Sequence, residues 1–261
     1  MTTVDVNGLG IGYRMAGTGE GRPVVLLHGG VSDGRVWRRA MADLADEFTV
    51  VAWDAPGCGG SDDPPESFSL ADYADCLAGL VAALGLDRPH VVGHSFGGGL
   101  AIALAHRHPA VPRSLVLLGG YAGWAGSLPP EEVEARLASF LALEEPFVPR
   151  SFPGLFSDVM PPEAAEELTR IMEDVRLSPS KTMIRAFAEA DLRPALPDVD
   201  VPTLLLYGED DVRSPRFVSE HLHANLPRSQ LIMLPGLGHE LYLESPQAFV
   251  DTVRPFLRSV P

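Results

Sequence analysis

The chain is short of positive charge, of cysteine and of long apolar runs, and each shortage removes a class of function. Lys181 is the only lysine, and 20 Lys and Arg stand against 35 Asp and Glu, giving a formal net charge of -15. Nucleic acids and anionic membrane surfaces are held by clustered Lys and Arg. Here the arginines are spread along the chain, so no nucleic-acid partner and no membrane partner is expected, and the acidic balance reads as solubility. Cys58 and Cys76 are too few for a disulfide framework and lack metal-ligand spacing, so both are expected as free thiols. No window is long enough to span a bilayer, and the start, MTTVDVNGLG, has neither the basic nor the apolar region of a secretory signal. The expectation is a cytoplasmic protein, with a homo-oligomer left open.

What is present is 261 residues, 46% of them hydrophobic, enough for one large α/β domain or a domain carrying an insertion. The densest signal is residues 89–108, PHVVGHSFGGGLAIALAHRH. Val91 and Val92 suit a buried strand, while Leu100, Ile102 and Leu104 among small residues suit a tightly packed helix, so strand turns into helix at Ser95. A turn that sharp forces its central residue to positive φ and leaves no room for a β-carbon two residues to either side. Gly93 and Gly97 meet that demand. The serine hydroxyl is then lifted clear of the sheet at a helix N-terminus, where free N–H groups favour developing negative charge.

Around this stretch the chain alternates. Val4 to Val6 and Leu9 to Tyr13 flank an Asn7-Gly8 pair, a hairpin signal. Strands are predicted at 23–27, 48–53, 89–94 and 114–118, with helices at 33–47 and 69–84, the latter opened by Ser69 with Asp72 three residues on. Strands separated by helices imply a mostly parallel central sheet with helices on both faces. The alternation stops after Tyr121. Residues 130–143, 162–175 and 179–190 have helical patterning without a strand between them, and Glu131, Glu132 and Glu163 sit in first turns. Strand, helix, strand and helix resume at 202–207, 215–226, 231–234 and 246–257. The division expected is 1–120 as the first part of the core, 121–199 as a helical cap insertion and 200–261 as the second part of the core.

A serine hydroxyl needs a base within reach, and the base needs an anion to fix its tautomer. His239 lies in Gly236-Leu237-Gly238-His239-Glu240 and Asp211 in Tyr207-Gly208-Glu209-Asp210-Asp211, each in a loop directly after a strand. With His28-Gly29-Gly30, the loop from Asp54 to Ser61, the Ser95 elbow, Gly208 to Pro215 and Gly238-His239 in this order, the chain resembles the α/β-hydrolase superfamily over nearly its whole length. The resemblance implies the α/β-hydrolase fold with an inserted cap, Ser95 as nucleophile, His239 as general base and then acid, and Asp211 as its orienting partner. Family spacing puts the acid three residues after the glycine and four before the proline, which selects Asp211 over Asp210. It also implies an oxyanion hole made by the backbone N–H groups of Gly30 and Phe96.

Other features carry plainer readings. His28 and His94 read as hydrogen-bonded structural histidines and Asp54 as a loop-stabilising acid. The elbow offers serine, not the carboxylate of a dehalogenase or epoxide hydrolase. His106 with His108 and His221 with His223 are two apart on helices and do not share a face, so no metal is expected, and no dinucleotide or P-loop motif indicates a cofactor. Trp124, Phe140, Phe147, Phe152, Phe156 and Met160, followed by Met172, Met183 and Phe187, are candidates to line a pocket under the cap, about a third of them facing substrate. Trp37 and Leu241 are added from the core, making Trp37, Trp124, Phe140 and Leu241 the expected substrate-binding set.

The function expected is a cofactor-independent serine hydrolase, a carboxylesterase acting on a small or medium apolar ester or lactone. The alternatives on the same triad are carbon–carbon bond hydrolysis, acyl transfer and perhydrolysis. Relatives that cleave vinylogous diketones usually have tryptophan after the triad histidine, where Glu240 stands here. A small-molecule receptor or a non-hydrolytic pathway catalyst of this fold is the alternative of a different class.

Overall fold

A computed structural model describes residues 2–144 and 152–261. Asn7 and Gly8 have φ of 55° and 87°, the left-handed pair that a two-residue hairpin turn needs. They join β1 (Thr2–Val6) to β2 (Leu9–Ala16) in antiparallel register. β2 also runs antiparallel to β4 (Thr49–Trp53), and from there the sheet is parallel. Its other strands are β3 (Pro23–Leu27), β5 (His90–His94), β6 (Ser114–Leu118), β7 (Thr203–Gly208) and β8 (Ser229–Leu234). The strand order is β1-β2-β4-β3-β5-β6-β7-β8. Residues in β4, β5, β6 and β7 are buried throughout, as a parallel sheet covered on both faces requires.

Alternate strand residues feed two cores. Val25, Leu27 and Val91 face one side, where α2 (Leu70–Ala83), α3 (Phe96–Arg107) and α7 (Arg216–Asn225) pack. Val24, Leu26 and Val92 face the other, against α1 (Arg38–Leu44) and α9 (Pro246–Ser259). Helices α4 (Pro130–Leu141), α5 (Pro162–Glu173) and α6 (Leu177–Glu189) form the insertion between β6 and β7. Proline opens α4 and α5 at the first helical position, where its missing N–H costs nothing. Arg176, just before α6, donates to the carbonyls of Gly59 and Ser61 and pairs with Asp63, which ties the insertion to the loop after β4. Among the described residues no helix is long and apolar enough to cross a membrane.

Three local expectations need correction. Residues 33–47 do not form one helix: Asp33 caps a 3-10 turn, Gly34–Trp37, and α1 follows it. The third insertion helix starts at Leu177, not at Pro179, because proline is tolerated in a first turn. A four-residue helix, α8 (Leu241–Glu244), follows His239 unannounced, being too short to establish a period. At Ser69 the expected reciprocal cap is present, with Ser69 and Asp72 each accepting the other's backbone N–H.

Candidate active site

Ser95 joins β5 to α3 with φ 50° and ψ −109°, a strained conformation for a residue with a side chain. A β-carbon on Gly93 would stand 2.2 Å from the Gly97 carbonyl oxygen, and one on Gly97 would stand 2.5 Å from that of Leu27. Glycine at both positions is therefore a packing requirement of the elbow. The Ser95 N–H donates to Leu118 O at 2.9 Å, which ties the elbow to the end of β6.

Two further strand ends supply the acid and the imidazole. Asp211 follows β7 and His239 follows β8, both buried, at 6% and 2% exposure. His239 Nδ1 lies 2.8 Å from Asp211 Oδ2, while Asp211 Oδ1 accepts from the N–H groups of Arg213 (2.9 Å) and Ser214 (2.8 Å). With Nδ1–H donating to the carboxylate, Nε2 keeps its lone pair and can accept a proton. Asp210 is exposed and makes no such contact, so the register chosen from the spacing is the one that meets the histidine. Gly119, at φ 51°, lies under this pair: a β-carbon there would sit 3.0 Å from His239 Nδ1 and 3.1 Å from Asp211 Oδ2.

Ser95 and His239 open onto one cavity of about 390 Å³ at the C-terminal edge of the parallel strands, between sheet and insertion. Gly30 and Phe96 line it too. Phe96 is the first residue of α3, whose opening N–H groups have no acceptor within the helix. Gly30 is pressed by the insertion, since a β-carbon there would come 2.7 Å from Ile184 Cδ1 on α6.

Of the expected apolar lining, Trp124, Phe140, Phe152, Met172 and Phe187 do face the cavity, more than the third anticipated. Phe156, Met160 and Met183 are not among its lining residues, and Phe147 lies outside the described residues. Trp37 and Leu241 are corrections: both are fully buried and neither lines the cavity. Trp37 stacks on Tyr242 at 4.3 Å and packs near Phe249 of α9, filling the layer beneath the sheet. Leu241 opens α8 and joins the same core.

His28 is neutral and structural. Its Nδ1–H donates to Gly29 O at 2.7 Å and its Nε2 accepts from Ala55 N–H at 3.0 Å, while burial keeps its pKa below the ordinary value. Asp54 accepts from Gly34 N–H, Gly60 N–H and Arg14, so it ties two loops together.

Polar groups not expected in the cavity also line it: Arg136, Arg213 and Glu240. Glu240 is pushed up to about 7 by burial, although the nearby His239 and a hydrogen bond with Tyr242 oppose the rise. Its position beside His239 was the one available signal. Nothing local marks an arginine on the insertion as facing inward.

A mostly parallel sheet with this strand order, a serine on a strand-to-helix elbow after β5 and an Asp–His pair after β7 and β8 define the α/β-hydrolase class. The chain belongs to the alpha/beta hydrolase family, which it matches over residues 24–252. It is similar to a thermophilic esterase from Thermogutta terrifontis, with a TM-score of 0.87 and 30% identity over 99% of this chain and 97% of that one. It is 31% identical to the 2-hydroxymuconate semialdehyde hydrolase of Pseudomonas sp. strain CF600 over 266 residues, covering 95% of this chain and 91% of that protein. The enol-lactonase from Burkholderia xenovorans LB400 shares 25% identity and a TM-score of 0.82, over 98% of this chain and all of the other.

Proposed function

We propose that the chain is a serine hydrolase that cleaves a small or medium apolar carboxylic ester or lactone through an acyl-enzyme on Ser95. The observation that carries this reading is that His239, buried and 2.8 Å from Asp211, lines the same mostly apolar cavity as the elbow serine. In the proposed cycle Ser95 Oγ attacks the substrate carbonyl as His239 Nε2 takes its proton, with Asp211 holding the imidazolium that forms. The carbonyl oxygen gains negative charge and accepts from the N–H groups of Gly30 and Phe96. His239 then protonates the leaving alkoxide, and water, deprotonated by the same imidazole, releases the acid.

Carbon–carbon bond hydrolysis is the second reading, favoured by the likeness to the 2-hydroxymuconate semialdehyde hydrolase and by a similar likeness to the 2-hydroxy-6-oxo-2,4-heptadienoate hydrolase of Pseudomonas putida. Glu240 in the place after the triad histidine weighs against it. Steady-state rates on matched esters, lactones and vinylogous diketones, with wild-type protein and Ser95→Ala, decide between them. Ester or lactone turnover that vanishes in Ser95→Ala supports the proposal; turnover of the diketones alone replaces it with the second reading.

A further inference from the structure

The cavity is built mostly of carbon, yet two guanidinium groups belong to its wall. Arg136, on α4, is spoken for: it pairs with Glu132 at 2.5 Å, donates to Arg213 O at 3.0 Å and lies 5.8 Å from the Trp124 ring centroid. Arg213 is different. Its Nη1 donates to Pro153 O at 3.0 Å and its guanidinium lies 5.9 Å from the centre of the Phe152 ring, but it has no ion-pair partner among the described residues.

The nearby carboxylates are committed elsewhere. Asp211 divides its oxygens between His239 and the N–H groups of Arg213 and Ser214. Glu240, pushed up to about 7 by burial, is only partly ionised at neutral pH and makes no ion pair with Arg213. Burial, with the neighbouring Arg136 charge, keeps the Arg213 guanidinium below its ordinary pKa, although Tyr121, Glu240 and Asp211 oppose the fall without forming an ion pair with it. A half-buried guanidinium in a cavity wall, with only Nη1 engaged, by Pro153 O, among the described residues, is a ready receptor for a planar anion, which it can bind through two parallel hydrogen bonds.

We propose that Arg213 is a specificity-determining residue that receives a carboxylate carried by the substrate, so that the preferred substrate is an apolar ester or lactone with an anionic end. This rests on the serine-hydrolase reading for the word substrate, and on the cavity alone for the binding. It also gives α7's preceding loop two jobs: the Arg213 backbone holds the triad acid while its side chain selects the ligand.

The test separates the two readings by measuring binding without turnover. In Ser95→Ala protein, calorimetry compares monoethyl adipate with ethyl hexanoate, which lacks the carboxylate. The monoethyl adipate is expected to bind roughly tenfold more tightly, the size of one charge-assisted contact. Adding Arg213→Gln should remove that preference, with any smaller loss shared by ethyl hexanoate reporting the change in the cavity wall itself; Arg213→Lys should restore part of the preference. Equal binding of the two esters, or an equal loss of both in Arg213→Gln, overturns the carboxylate site. Wild-type protein that prefers monoethyl adipate but never acylates on Ser95 would overturn the hydrolase reading and leave the carboxylate site standing.

Discussion

His94 Nε2 donates to the main-chain carbonyl of His239 at 3.1 Å, so the residue before the elbow serine holds the backbone that carries the imidazole. A carbonyl can only accept, and burial pushes the His94 pKa well below its ordinary value, so the neutral ring has its proton on Nε2. Its Nδ1 is then a buried acceptor without a hydrogen-bond partner among the described residues, 3.8 Å from Glu240 Oε2, which is in the same condition. Two unsatisfied polar atoms face each other behind His239.

That arrangement predicts a pH dependence of stability. Glu240 has an ordinary pKa of 4.5 and is pushed up to about 7 in the folded protein, so the native state binds this proton more tightly than the unfolded chain. The contribution is full below 4.5 and is lost as pH rises through about 7, a fall on the order of 3 kcal/mol by pH 8. Buried His28, His90 and His94, held below their ordinary pKa, act in the opposite direction over part of this range, so the readout is the difference: relative to Glu240→Gln, the wild-type urea midpoint should fall as pH rises from 4.5 to 8. Parallel slopes in the two proteins would remove Glu240 as the cause.

Asp211 and Asp210 are neighbours with opposite fates. Asp211→Asn should lower kcat by about 10⁴-fold, because an amide in that place no longer holds the productive tautomer of His239. Asp210→Asn, at an exposed position, should stay within about twofold of wild type. Steady-state kinetics on one activated ester reads both.

Gly119→Ala should impair activity more than folding. Its β-carbon would press on both His239 and Asp211, at 3.0 Å and 3.1 Å, at a positive φ that already disfavours a side chain. A displacement of the imidazole by a fraction of an ångström to an ångström costs up to about 100-fold in kcat. Rate and thermal midpoint measured together distinguish this from general unfolding.

The two tryptophans near the site should part company. Trp37→Ala leaves a hole between Tyr242 and Phe249 and should cost about 3–5 kcal/mol of stability with little effect on KM in the folded fraction. Trp124→Ala, in the cavity wall, should raise KM for an apolar ester. Denaturation curves and KM values on the same preparations check the pair.

These contrasts follow what the sequence could and could not convey. The Ser95 elbow and the Asn7-Gly8 turn were legible because each rests on backbone demands that only particular residues meet within a few positions. Asp211 was legible from its spacing to Gly208 and Pro215. Trp37 and Leu241 were misplaced because closeness to a motif along the chain says nothing about which face of a short turn points to the cavity; both point into the layer under the sheet. Arg213 and Glu240 were passed over for a related reason. A charged residue beside a loop motif ordinarily faces water, whereas here both line the cavity.

The most direct measurement is intact-mass detection during a burst with an activated short-chain ester. The account predicts a rapid stoichiometric release of alcohol, an adduct of one acyl group mapped to Ser95, its disappearance as steady turnover proceeds, and no adduct in Ser95→Ala. Steady hydrolysis with no acyl group ever found on Ser95, or hydrolysis undiminished in Ser95→Ala, would contradict it.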